Sequence, residues 1–296
     1  MAHDHSHHHH HHDGTGNIRV AFLLNLGFTI LEVFGGLWTN SMAILSDALH
    51  DLGDSLSLGV AYYLQKKSRQ KANNRYSFGY QRFSLLGALI NGVVIISGSV
   101  IILVKNIPRI IHPEPTNAKG MLLFAILGIL VNGAAVWKLS DGKSLNEKSV
   151  RWHLLEDVLG WVAVLIVSVV LLFYDVPILD PLLALIIVAY VLYNVGKNLT
   201  ATIRIFLQGV PDDVRLEVVE HELRSIPGVE DVHHIHIWSM DGEHHVLSVH
   251  LVVSPEVSFT SYASIKNQAK SRIHGHQIHH ATIEIEQAGE PCFMRD

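Results

Sequence analysis

The sequence predicts an α-helical membrane protein with six transmembrane helices, followed by a small α+β domain. Two observations carry this prediction. Of the 296 residues, 49% are hydrophobic and only 17% are charged, which is too apolar for an ordinary soluble chain. The apolar residues also concentrate in six stretches, each long enough or nearly so to cross a hydrocarbon core, which needs roughly 20 helical residues.

The six predicted spans occupy residues 18–38, 41–64, 84–106, 119–139, 151–174 and 178–197. Only Thr39 and Asn40 separate the first two, which predicts a tight antiparallel pair of helices. Pro177 and Pro181 interrupt the chain between the last two, because proline cannot continue a helix interior.

Lysine and arginine are distributed unevenly among the predicted loops. The loop between spans two and three holds six of them, and the loop between spans four and five together with the adjoining span ends holds four (Lys138, Lys143, Lys148 and Arg151), whereas the first and fifth loops hold none. Because basic loops stay in the cytoplasm, both termini are predicted to be cytoplasmic. A compact chain of this kind is expected in a bacterial inner membrane.

After about residue 207 the apolar runs give way to shorter patterns. Residues 211–229 have helical spacing, and residues 231–240 and 244–253 alternate around Asp-Gly-Glu, which is typical of a hairpin. A second helix is predicted over 258–275 and a third strand over 280–287. The resulting order is α-β-β-α-β, and the predicted domains are a tail (1–16), a transmembrane domain (17–206) and a cytoplasmic domain (207–296).

Histidine is unusually abundant: the chain has 22, as many as lysine and arginine together, and eight lie in the first 12 residues. The tail lacks the apolar core of a signal peptide. Two interpretations stay open, namely a metal-binding arm, since neutral imidazole is a common ligand, and a purification tag.

Composition also excludes several classes. The net charge of −5 gives no basic surface for nucleic acid. The single cysteine, Cys292, excludes an intramolecular disulfide and a multi-cysteine metal site. The sequence contains no Gly-rich phosphate loop, no serine or cysteine nucleophile motif and no HExxH.

Two HxxxD pairs lie inside predicted spans. His50 and Asp54 belong to the second span, and His153 and Asp157 to the fifth; residues four apart share one face of a helix. A charge at mid-membrane depth costs about 2.5–3.5 kcal/mol and marks ion pathways. Two facing pairs supply two nitrogens and two oxygens, the four-coordinate shell that Zn²⁺ accepts in tetrahedral sites.

This ligand set suits exchange of metal for protons. A dication neutralises both aspartates, and the same groups take up protons when the metal leaves. The alternative is that the pairs are structural polar residues between helices, which two copies of the pattern disfavour. Asp47, on the face of His50, and Asp51 are candidates for a second shell or for the ion pathway. Glu32 and Asn25 of the first span and Asn132 of the fourth are candidates for the lining of that pathway.

The cytoplasmic domain is dense in histidine. Strand alternation predicts that His234 and His236 share one face while His233 faces the other way. A further cluster occupies positions 274, 276, 279 and 280. Exposed histidines paired with neighbouring acidic residues are the alternative to metal ligands there.

The chain resembles the cation diffusion facilitator family, which exports divalent metal in exchange for protons. The resemblance lies in the paired HxxxD motifs, in "RYSFGYQRFSLLGALINGV" before and into span three, and in the C-terminal α-β-β-α-β order. It implies transport ligands at His50, Asp54, His153 and Asp157, with Zn²⁺ as the preferred substrate and Cd²⁺ or Co²⁺ as further ones. It also implies a V-shaped homodimer that pairs through ferredoxin-like cytoplasmic domains.

The resemblance further implies a regulatory zinc site in the cytoplasmic domain. Its positions match His233 and His250, together with Glu284 and Glu286 on the last strand, where some relatives carry histidine. Histidine with carboxylate still suits Zn²⁺.

Two other functions compete with a secondary transporter. A zinc-dependent membrane enzyme needs an open coordination position and a base beside it, whereas four ligands here close the shell. A membrane metal sensor needs no ligands in the hydrocarbon core. We therefore expect an antiporter and not an enzyme, with transport that depends on both HxxxD pairs.

Overall fold

The computed structural model describes residues 12–138 and 145–292. The histidines of the tail before position 12, and Lys143 of the fourth loop, lie outside the described residues. The chain forms two compact units, one of Met1–Val60 with Ile90–Lys197 and one of Ala61–Leu89 with Asn198–Asp296. The domain boundaries at 17 and 207 remain a prediction.

Each predicted span corresponds to one long helix. The helices are α1 (His12–Thr39), α2 (Met42–Ser68), α3 (Phe83–Ile111), α4 (Ala118–Lys138), α5 (Leu145–Phe173) and α6 (Leu179–Phe206). The helices run past the predicted spans where polar residues continue them. Thus α3 passes through Pro108 to Ile111, and α6 ends at Phe206 rather than at 197.

Four of these helices, α3 to α6, contain stretches that are long and apolar enough to cross a membrane by themselves. The shorter apolar part of α1 covers Leu26–Thr39. Helix α2 carries Asp47, Asp51 and Asp54, so its mean hydropathy is low although its 27 residues are enough to span the bilayer. Crossing by α1 and α2 stays a prediction.

Close helix packing in the first unit depends on small residues. A Cβ on Gly128 of α4 would lie 2.2 Å from the ring of Trp161 on α5, so the backbone of α4 touches the indole directly. Trp161 is fully buried, and the ring of Phe28 from α1 meets it edge-on at 5.6 Å between centroids. Small residues of this kind let helix backbones approach in membrane proteins.

The second unit contains the predicted α-β-β-α-β domain, which the structure confirms. Its elements are α7 (Leu216–Arg224), β1 (Val229–Ser239), β2 (His245–Val253), α8 (Tyr262–Ile273) and β3 (Ile278–Gln287). The sheet has the order β1-β2-β3, with β1 antiparallel and β3 parallel to β2. Helix α7 begins at Leu216 and not at the predicted Pro211, because residues 211–214 close a turn through Val214 N and Pro211 O.

The core of this domain lies between the sheet and its two helices. Leu223 of α7, Ile273 of α8 and Leu247 and Leu251 of β2 are almost fully buried. Because β2 is the central strand, its polar side chains lie between β1 and β3. His250 of β2 is therefore paired with His233 of β1 on one side and with Glu284 of β3 on the other.

Candidate metal centres

The first centre lies between α2 and α5. The rings of His50 and His153 are 5.7 Å apart between centroids. With Asp157 they offer one ligand atom each, and these atoms all lie within 4.8 Å of one another. The side chain of Asp54, the fourth predicted ligand, lies outside the part that the structure describes. His50 of α2 therefore comes together with two residues of α5, His153 and Asp157, which are four positions apart.

Burial explains why this centre can hold a metal ion. The side chain of Asp157 is 4% exposed, and a carboxylate removed from water is costly unless a cation or a proton compensates it. Imidazole nitrogens and a carboxylate oxygen are ligands that Zn²⁺ accepts. The chemistry of the donor set therefore fits a divalent metal.

Helix α2 is held in place by a carboxylate from α6. Asp180 accepts hydrogen bonds from Ser41 Oγ (2.5 Å), Met42 N (2.7 Å) and Ala43 N (3.2 Å). These groups belong to the start of α2, where backbone N–H groups lack partners within the helix. Sequence reasoning missed Asp180, because its partners are about 138 residues away and no local pattern marks it.

Glycines bring α2 close to its neighbours. A Cβ on Gly98 of α3 would lie 2.3 Å from the side chain of Leu49, and one on Gly53 of α2 would lie 2.5 Å from Ile95. Gly160 of α5 is near Asp47, whose Oδ1 would be 3.6 Å from an added Cβ. The helices α2 and α3 therefore approach each other closely at Gly53 and Gly98, and α5 lies beside α2 at Gly160.

Further carboxylates surround the first centre. Glu32 on α1 is fully buried and Asp51 on α2 is 1% exposed. Glu32 lies close enough to Asp47 and Asp157 to interact with them electrostatically. The side chain of Glu32 also interacts with that of Asp51, and Asn132 Nδ2 has no hydrogen-bond partner among the described residues. Glu32 and Asn132, which are predicted to line the pathway, are therefore buried in the helical unit, whereas the side chain of Asn25 lies outside the described residues.

The second centre lies on the sheet of the cytoplasmic domain. His250 Nδ1 is 2.6 Å from Glu286 Oε1, and His233 Nε2 is 3.3 Å from Glu286 Oε2. Cys292 is the fourth member of this group, and its ligand atom lies within 4.8 Å of the other three. Glu284 is adjacent but more exposed, with Oε2 3.4 Å from His250 Nε2.

A β-bulge shapes this centre. His233 pairs with His250 across β1 and β2, and the register shifts between His233 and His236. His234 within the bulge has a φ of +55°. As a result the rings of both His233 and His234 approach that of His250, at 5.3 and 5.1 Å between centroids. The predicted strict alternation is wrong here, because a bulge inserts a residue into the pleat.

Electrostatics keep Glu286 ready to bind a cation. Burial opposes its ionisation, but hydrogen bonds from His250 and Cys292 and the nearby imidazoles outweigh this effect and lower the pKa of Glu286. The carboxylate is therefore ionised at neutral pH.

The histidines near the end of α8 do not form a third centre among the described residues. His276 is 2.9 Å from Glu222 on α7, and the ring of His279 lies tilted against that of His244, with centroids 4.7 Å apart. His276 thus pairs with an acidic residue, as in the alternative interpretation, whereas the neighbour of His279 is another histidine.

Comparison with known proteins identifies the family to which both parts of the chain are similar. Residues 18–207 match the family described as cation efflux transmembrane domain, and residues 211–288 match the family described as cation efflux protein, cytoplasmic domain. A cadmium, cobalt and zinc/H(+)-K(+) antiporter of Bacillus velezensis is 33% identical over 97% of this chain and 93% of its own length.

Two further relatives are similar over most of their length. The zinc transporter ZitB of Pectobacterium atrosepticum is 32% identical over 97% of this chain and 89% of its own. The metal cation efflux system protein CzcD of Cupriavidus metallidurans is 33% identical over 100% of this chain and 92% of its own. The chain therefore belongs to the cation efflux family of membrane metal transporters.

Proposed function

We propose that this protein exports Zn²⁺, and also Cd²⁺ or Co²⁺, from the cytoplasm in exchange for protons. The observation that carries the proposal is the convergence of His50, His153 and Asp157 between α2 and α5, with ligand atoms within 4.8 Å of one another. Asp54, one turn after His50 on α2, is the proposed fourth ligand. The names of the relatives, which include zinc transporters and a zinc antiporter, support the same substrates.

The exchange follows from the charge of the site. Two aspartates carry two negative charges when ionised, and a bound dication neutralises them while the histidines stay neutral. After the metal leaves, the same side chains bind protons, since metal and protons compete for the same lone pairs. Each state is close to neutral, so neither leaves an uncompensated charge in a low-dielectric region.

The surroundings of the site support passage through the membrane. Asp47 and Asp51 are proposed to line the route or to orient the ligands, because both are buried on α2 beside the histidine. With basic residues concentrated in the second and fourth loops, both termini lie in the cytoplasm under the positive-inside rule. A bacterial inner membrane is the proposed location, in line with the bacterial relatives.

The cytoplasmic domain is proposed to form a homodimer and to sense metal. The family that residues 211–288 match is named for dimerisation. His233, His250 and Glu286, with Glu284 beside them, fit a divalent cation by ligand type and spacing. Metal binding regulates transport only if it favours one arrangement of the dimer over another.

Zn²⁺ flux into proteoliposomes under an imposed proton gradient tests the proposed exchange. Asp54→Ala and Asp157→Ala are each expected to reduce flux to the level of protein-free vesicles. Glu156→Ala is the matched control, because this neighbouring carboxylate is exposed; its flux is expected to equal that of the wild type.

Three results would contradict parts of the proposal. Flux that persists in Asp157→Ala would make the HxxxD pairs structural. Flux driven by a potassium gradient but not by a proton gradient would change the coupling ion. A folded wild-type protein that moves no metal would favour the membrane sensor.

A further inference from the structure

The segment after β3 turns back to the sheet and ends beside the second centre. Gln287 N donates a hydrogen bond to Glu290 Oε2 at 3.0 Å, and Glu290 N donates one to Gln287 O at 2.9 Å. Between them Gly289 has a φ of +93°, a conformation that glycine adopts without strain. The turn brings Cys292 against His250 of the neighbouring strand, with Sγ 3.8 Å from Nδ1.

Two distances in this cluster are close to those of a tetrahedral site. Zinc bonds of about 2.3 Å to sulfur and about 2.1 Å to nitrogen or oxygen imply separations of about 3.6 Å for N···S and about 3.4 Å for N···O. The observed values are 3.8 Å for His250 Nδ1 and Cys292 Sγ, and 3.3 Å for His233 Nε2 and Glu286 Oε2. The 2.6 Å hydrogen bond between His250 and Glu286 must lengthen when a metal ion binds.

Burial gives a second reason to expect a ligand. The side chains of His250 and Glu286 are 8% and 9% exposed. Both ring nitrogens of His233 are buried and make no hydrogen bond with the described residues, although Nε2 lies 3.3 Å from Glu286 Oε2. A buried nitrogen without a partner is costly, and a metal ion between His233, His250 and Glu286 would satisfy it.

We propose that Cys292 is the fourth ligand of the cytoplasmic site, which is therefore a His₂-Glu-Cys centre for Zn²⁺ or Cd²⁺. The inference deepens the sensing role proposed above and rests on it. A thiolate favours soft and borderline ions and disfavours Mn²⁺ and Mg²⁺. Binding removes the thiol proton, which passes to solvent.

Glu284 then has a different role from Glu286. Its Oε2 lies 3.4 Å from His250 Nε2, the ring nitrogen that faces away from Cys292. Ligating histidines commonly donate their second N–H to a carboxylate, which fixes the orientation of the ring. Glu284 is thus a positioning residue and Glu286 a ligand.

The chain contains one cysteine, so thiol chemistry reports on this site alone. The test uses the purified full-length protein with His153→Ala and Asp157→Ala, which remove the transport site. Labelling by a disulfide reagent is measured with and without buffered free Cd²⁺. At 100 times the dissociation constant, labelling is expected to slow about 100-fold, together with the appearance of a thiolate-to-cadmium charge-transfer band. Metal bound by the N-terminal histidines does not affect either signal.

Three variants in the same background separate the ligands. Cys292→Ser is expected to abolish the band, and His250→Ala to abolish both band and protection although the thiol is present. The exposed His274→Ala is the control and is expected to behave like its parent. A thiol labelled equally fast with and without Cd²⁺, with no charge-transfer band, would overturn the proposal. The proposed transport function is unaffected by that result, since flux is measured separately on the protein with its transport site intact.

Discussion

Replacement of Asp180 by alanine tests how the start of α2 is held. The carboxylate is fully buried, as are its partners Ser41, Met42 and Ala43. The substitution removes three hydrogen bonds and leaves two buried backbone N–H groups without an acceptor. Each such orphaned donor costs about 1–3 kcal/mol, so the two together cost about 2–6 kcal/mol.

This loss should be visible in both stability and function. A cost of that size lowers the melting temperature of a chain this large by roughly 10 °C. His50 lies eight residues after Met42, or about 12 Å along the helix, so a shifted helix start misplaces a proposed transport ligand. We therefore expect Asp180→Ala to unfold earlier in detergent micelles and to transport Zn²⁺ slowly.

Two comparison variants sharpen the measurement. Asp180→Asn keeps one acceptor oxygen and is expected to lose about half as much stability. Asp175→Ala removes an exposed carboxylate just before α6 and is expected to be neutral. If Asp180→Ala melted within 1–2 °C of the wild type and kept its flux, a shift well below the one worked out above, the capping argument would be refuted.

Two further predictions concern packing and pH. Gly128→Ala places a Cβ inside the contact distance of Trp161, which should lower the free energy of unfolding by about 1–3 kcal/mol. Gly133→Ala, with open space around it, is the control and should be neutral or slightly stabilising. Equal melting temperatures of the two variants would refute the close contact. Burial opposes ionisation of Asp213, but its hydrogen bonds from the buried His245 outweigh this effect and lower the pKa of Asp213. Its stabilising effect is therefore present above the unfolded-state pKa of about 4 and disappears as the pH falls through the lower folded value. Asp213→Asn should cost at most about 1 kcal/mol at neutral pH, because the carboxylate is half exposed, and the difference from wild type in chemical unfolding should shrink below about pH 4; a difference that grows on acidification would contradict this.

The long helices and the candidate residues of the first centre could be predicted from local patterns. Apolar run length determines whether a helix can cross the bilayer, and the HxxxD spacing determines which side chains share a helix face. Both properties lie within one element, so His50 and Asp157 could be singled out without knowing how α2 and α5 pack. That these helices face each other was an inference from the repeated motif, and the structure places His50, His153 and Asp157 together.

Other features depend on contacts between distant parts of the chain. Asp180 caps α2 from another helix, and this role depends on the start of α6 lying against the start of α2. The bulge at His234 depends on how β1 pairs with β2, so strand alternation read from the sequence put His233 and His234 on opposite faces.

Cys292 is the clearest case of a residue whose neighbours are known only from the tertiary structure. By sequence it is a single cysteine near position 296, and its count excludes only an intramolecular disulfide and a multi-cysteine metal site. The parallel pairing of β2 with β3 and the turn at Gly289 bring its sulfur to His250. Sequence by itself determined which elements form and which residue types are available as ligands, because propensity and periodicity act locally. Only the tertiary structure decided which of those ligands meet, because that depends on packing and register between elements far apart in the chain.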